Sequence, residues 1–99
     1  MTASYQILYW RDIPAQVRTR LGGERVTRPL AERFQEAIDA AAMRANATST
    51  DDYLEEWRTS DWQPGEGDPA NLADRLVAQL EADYPPERLD GLARRGGYE

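Results

Sequence analysis

The chain has 99 residues, 40% hydrophobic and 30% charged, and its 12 basic and 18 acidic side chains leave a net charge of −6. This is the balance of a soluble globular chain of one domain, not of a disordered one. Neither Cys nor His occurs, which excludes disulfides, thiolate nucleophiles, Ser-His and Cys-His arrangements and the commonest transition-metal ligands.

No apolar run approaches the roughly 18 residues that span a bilayer. The opening "MTASYQILYW" lacks the basic flank and small-residue cleavage site of a signal peptide. The expected setting is the cytoplasm, with no membrane contact.

"SYQILYW" (4–10) predicts a strand with Tyr5, Ile7 and Tyr9 on one side and Leu8 and Trp10 on the other, buried on both faces. "RDIP" interrupts it, because proline forces the preceding residue to be extended and Asp12 can bond a turning backbone. A second strand, "AQVRTRL" (15–21), meets a third, "ERVTR" (24–28), across Gly22-Gly23, a dipeptide that tolerates the positive φ of a two-residue hairpin turn. That turn sets Leu21 opposite Glu24, Arg20 opposite Arg25 and Thr19 opposite Val26. Val17, Thr19, Leu21 and Val26 then share one face, and Arg18, Arg20, Arg25 and Thr27 the other.

Pro29 closes the sheet and leads into a helix over about 30–45, where Leu30, Phe34, Ala37, Ile38, Ala41 and Ala45 recur at helical spacing. "TSTDDYLEEW" (48–57) predicts a short helix with Ser49 or Thr50 as N-cap, acids in its first turn, and Tyr53, Leu54 and Trp57 along one face. "RTSDWQPGEGDP" (58–69) reads as the longest loop. Its Asp68-Pro69 supplies the cap and first residue of a helix carrying Leu72, Leu76, Leu80 and Tyr84 inward, which Pro85-Pro86 stops. A last helix in "ERLDGLARR" ends at Gly96-Gly97, and residues 96–99 are expected to be a loose tail.

The expected fold is a single α+β domain. Residues 1–30 form a β-meander, a small three-stranded antiparallel sheet, and residues 31–95 supply three to four helices that cover one face of it. Phe34, Ile38, Leu72, Leu76 and Leu80 are expected to share one core with Val17 and Val26.

Residues 1–30 hold five Arg and two acids, whereas residues 31–99 hold seven Arg and sixteen acids. With helices on the apolar face of the hairpin, Arg18, Arg20 and Arg25 face solvent, and their planar guanidinium forks suit carboxylates and phosphates. The same charges also serve to discourage edge-to-edge aggregation. Of the tryptophans, Trp10 and Trp57 fit a core, while Trp62 lies in a polar loop and suits an exposed anchor.

Arg18, Arg20, Arg25, Trp10, Arg11 and Trp62 are therefore the partner-binding candidates. Residues 9–11 are the one aromatic group expected to adjoin the basic hairpin. The acidic total opposes a polyanion, so nucleic acid ranks behind an acidic protein. Asp51, Asp52, Glu55, Glu56 and Asp61 lack the alternating ligands and glycine of a calcium loop, and no catalytic residue, cofactor or metal is expected. Composition and spacing favour a non-enzymatic interaction subunit; the alternative is a module for nucleic acid or a phosphorylated small ligand.

"YWRDIPAQV", "RFQEAIDAAAMR" and "YLEEWR", in that order, resemble the small bacterial virulence factor domain, which also appears fused to helical-repeat segments. The resemblance spans about residues 5–58, and beyond Asp61 it is one of helical character. It implies a bacterial, intracellular setting and records a phenotype, not a reaction. It further implies, as another alternative, an accessory role beside a folate or corrinoid methyl-transfer enzyme.

Overall fold

The computed structural model describes residues 2–47 and 49–99. Its first three elements are β1 (Ala3–Trp10), β2 (Ile13–Leu21) and β3 (Glu24–Pro29), joined by two tight turns. Leu21, Arg20 and Thr19 pair with Glu24, Arg25 and Val26 across a turn in which Gly22 has φ +60, the register that the glycine pair predicts. The turn between β1 and β2 uses no glycine. Arg11 itself takes φ +53 there, a left-handed conformation that a side-chain-bearing residue adopts only when held.

β2 begins at Ile13 and so includes Pro14. Proline is tolerated at this point because β3 pairs β2 only from Gln16 onward, which leaves the Pro14 nitrogen on an unpaired edge. The register of β1 against β2 shifts between Leu8 and Tyr9. Leu8 pairs with Gln16 and Tyr9 with Pro14, so Ala15 is the extra residue of a bulge in β2. Ile7 and Trp10, which parity separates, both enter the core, in keeping with a strand buried on both faces, while Leu8 and Tyr9 stay partly exposed.

The sheet has five strands, not three. β4 (Trp57–Thr59) and β5 (Gln63–Gly65) both pair antiparallel with β1, opposite Leu8–Trp10 and Ala3–Tyr5 respectively, giving the order β3-β2-β1-β4 with β5 beside β4 on the same edge. The stretch expected to be wholly helix and loop therefore completes the sheet. Trp57 belongs to β4 and not to the preceding helix.

α1 (Glu32–Arg44) buries Phe34, Ala37, Ile38, Ala41 and Ala42. α2 (Thr50–Glu55) is capped by Ser49, whose hydroxyl accepts from the Asp52 N–H at 3.2 Å; Thr48, the first residue of that segment, lies outside the described residues. Leu54, expected on its inner face, is 59% exposed, because a helix this short turns only Tyr53 toward Trp10 and Trp57.

α3 (Pro69–Asp83) starts at the Asp68 cap, whose carboxylate accepts from the Asn71 N–H at 3.0 Å. Pro85 and Pro86 then end it and begin α4 (Pro86–Arg94). The core runs through Ile7, Trp10, Ile13, Val17, Phe34, Ile38, Leu80, Leu89 and Leu92, with Val26 and Leu76 packed against it. Leu72 is buried beside Gly65.

Thr19 is fully buried on the α3 side, where its hydroxyl donates to the Pro69 carbonyl at 2.8 Å. This bond ties the start of α3 to one face of β2. Residues 18, 20 and 25 consequently point to the other face.

Candidate functional site

Two rows of side chains cross that other face. Ser4, Arg20 and Arg25 lie in register, and beside them Gln6, Arg18 and Thr27. The three arginines are thus brought together by strand parity and by the Gly22-Gly23 turn. Among the described residues, the ion pairs engage Arg11, Arg28, Arg58, Arg88 and Arg94, and none of these three. Arg28, on the opposite face of β3, reaches Asp74 of α3 at 3.2 Å.

Trp62 joins this face from the connection between β4 and β5. The Arg20 guanidinium carbon lies 3.9 Å from its ring centroid. Gln6, Gln16, Arg18, Arg25, Thr27 and Trp62 line a recess of about 390 Å³. With the Gln16 amide turned so that its oxygen faces Arg18, that oxygen accepts from Arg18 Nε and Nη2 at 3.0 and 3.2 Å, which fixes the plane of that guanidinium. The recess combines cationic donors, neutral amides and an indole face, a donor set for carboxylates or phosphates.

Trp10 and Arg11 lie elsewhere. Trp10 pairs with Ile13, at the end of β1 remote from Ser4 and Arg20, so residues 9–11 do not adjoin the basic hairpin as expected; Trp62 does. Trp10 is fully buried, and its indole N–H donates to the Tyr53 carbonyl at 2.9 Å, which leaves it no surface to offer a partner. Arg11 Nη1 donates to the Gly96 carbonyl at 2.8 Å, and Nη2 meets Glu56 at 3.3 Å. Its guanidinium packs between the rings of Trp10 and Tyr98.

The tail expected to be loose is held by the same turn. The Asp12 N–H donates to the Gly97 carbonyl at 2.8 Å, and the Glu99 N–H to the Asp12 carboxylate at 2.9 Å.

A second polar cluster has no counterpart in the sequence reading. Tyr9, Asp12, Arg58, Ser60, Tyr84 and Glu99 line a shallow recess of about 340 Å³. Burial pushes the Tyr9 phenol above its ordinary pKa, against the pull of the Arg58 guanidinium stacked on it; burial likewise raises Tyr84, opposed by Arg88. Both phenols therefore keep their protons to higher pH than a free tyrosine does. No short sequence signal joins residues 9, 58, 84 and 99, since only the sheet and tail bring them together.

Among the described residues no three acidic side chains converge to hold a metal ion, and no helix is long and apolar enough to cross a membrane. No curated protein and no solved structure matches the chain. A family model described as "Virulence factor" matches residues 8–93. The likeness thus extends well past the expected limit near residue 58, through β5 and α3 into α4. With the match running from within β1 almost to the end of the last helix, the chain belongs to this virulence factor family.

Proposed function

We propose that this protein is a non-enzymatic interaction subunit that receives an acidic partner protein on the open face of its sheet. The observation that carries the reading is the convergence of Arg18, Arg20 and Arg25, without carboxylate partners among the described residues, around the Trp62 ring. Like charges grouped in this way repel, and carboxylates from a partner relieve that repulsion while accepting charge-assisted hydrogen bonds. Trp62 adds an apolar anchor beside them.

The hydroxyls on this face, Ser4 and Thr27, have no histidine to activate them, since the chain contains none, which favours binding over catalysis. Affinity purification of the wild type against an Arg18→Gln, Arg20→Gln, Arg25→Gln variant tests the proposal. The variant folds and loses a copurifying acidic protein in a salt-sensitive manner; retention of that protein by the folded variant contradicts the assignment.

A second reading has one observation in its favour. The recess below Trp62, about 390 Å³ with guanidinium and amide walls, falls within the size range of small-molecule pockets and suits a phosphorylated small ligand. Inorganic phosphate and nucleotides added to the same purification separate the two, because a small anion that fills the recess displaces the partner.

A further inference from the structure

β3 is the end strand of the sheet. Its inner edge pairs with β2 from Gln16 to Leu21, and among the described residues no strand pairs with its outer edge. In a hairpin closed by two residues the closing pair, here Leu21 and Glu24, exchanges both backbone hydrogen bonds, and such pairs then alternate along the ladder. Glu24, Val26 and Arg28 therefore spend their backbone groups on β2, while Arg25 and Thr27 turn theirs outward. The side chains of Arg25 and Thr27 rise on the same face as Arg18, Arg20 and Trp62. Glu24, Arg25, Thr27 and Pro29 are exposed along this strand, and Val26 is half-buried on the α3 side.

We infer that this edge accepts an extended acidic segment of the partner protein as an added antiparallel strand, with carboxylates at alternate residues and an apolar residue between them. The inference rests on the reading of the arginine face given above and specifies how its partner docks. A residue set opposite Arg25 exchanges backbone hydrogen bonds with it and projects its side chain onto the arginine face; so does a residue set opposite Thr27, beside the reach of Arg18. The residue between them lies opposite Val26 and points to the α3 side, where an apolar side chain extends the covered surface. Main-chain pairing supplies affinity and the alternate side chains supply specificity, as in other strand-addition complexes. Two copies of this chain paired along β3 would instead bring two sets of unneutralised guanidinium groups onto one face, so charge complementarity selects an acidic strand over self-association.

The test uses the full chain and three capped hexapeptides: one with Glu at alternate positions and Val between them, one with Gln replacing each Glu, and one with the backbone nitrogen of each Glu methylated. Titrations are followed by NMR, with amide exchange read at Arg25 and Thr27. The Glu peptide shifts Arg18, Arg20, Arg25 and Trp62 and slows exchange at Arg25 and Thr27, and both control peptides bind at least about tenfold more weakly. If the methylated peptide binds as tightly as its parent and Thr27 exchange is unaffected, strand addition is overturned while the arginine-face reading stands. If no peptide shifts any residue of the face, or if a short oligothymidylate binds there more tightly than the Glu peptide, the acidic-partner reading falls with it.

Discussion

The guanidinium of Arg20 stacks on the ring of Trp62, 3.9 Å from its centroid, joining the β2–β3 hairpin to the connection between β4 and β5. Exposed pairs of this kind contribute about 0.5–1 kcal/mol. A double-mutant cycle with Arg20→Gln and Trp62→Ala, measured by urea unfolding, should return a coupling energy in that range. Additive single effects would show that the stack contributes no stability.

The contact of β5 with α3 depends on a missing side chain. A Cβ on Gly65 would lie 2.6 Å from Leu72 Cδ2, so Gly65→Ala should cost about 1–3 kcal/mol through overpacking. Leu72→Ala in the same chain removes the obstructing atoms. The second substitution should then cost less in the Gly65→Ala background than alone; equal costs would mean that β5 and α3 are not in close contact.

Arg11 combines an unfavourable backbone with a useful side chain. Arg11→Ala loses the bonds to Gly96 and Glu56 while keeping φ +53, and should cost about 2–3 kcal/mol. Arg11→Gly loses the same bonds but adopts that φ without strain, so it should be the more stable of the two variants by about 0.5–1 kcal/mol. The opposite order in thermal or urea unfolding would show that the turn does not hold the left-handed conformation.

Alkali should loosen the fold through Tyr9 and Tyr84. Burial raises both phenols above the ordinary tyrosine value, so in this range the native state retains protons that the unfolded chain has released. The resulting contribution is complete below about pH 10 and is lost as pH rises through the raised native values. Urea midpoints should fall as pH is raised above about 10, and Tyr9→Phe together with Tyr84→Phe should flatten that decline. An unchanged slope in the double variant contradicts the assignment.

Ile38 is fully buried on α1 within the shared core. Ile38→Ala should destabilise by about 2–5 kcal/mol. A change below about half a kcal/mol would place that side chain in solvent.

Features that depend on neighbours in the chain were legible in the sequence. Gly22-Gly23 sets the register of Leu21–Glu24 and hence the arginine face. Ser49 and Asp68 cap the helices that they announce, and the spacing of Phe34, Ile38 and Ala41 marks the buried side of α1. β4 and β5 have three residues each, too few for alternation to register, and Gln63-Pro64-Gly65 carries no strand propensity. These two strands exist because β1 offers an edge, a tertiary cause that no local pattern records. The bulge that inserts Ala15 of β2 opposite Leu8 and Tyr9 was equally illegible, since parity counting assumes an uninterrupted ladder. Trp62 was legible as a residue in search of a contact, but its position over Arg20 required β5 to fold back along Ala3–Tyr5.

The placement of β1 between β2 and the β4–β5 pair bears on the order in which the chain assembles. The first three strands close through turns of two residues, so their meander can form as soon as about the first thirty residues are available, with little loop-closure entropy to overcome. The opposite edge of β1, carrying Ile7 and Trp10, then waits for residues 57–65, more than forty positions later. During that interval an aromatic-rich strand edge is open to any other extended chain. Conditions that slow synthesis between β3 and β5 should therefore increase aggregation of the nascent chain without altering the stability of the finished fold.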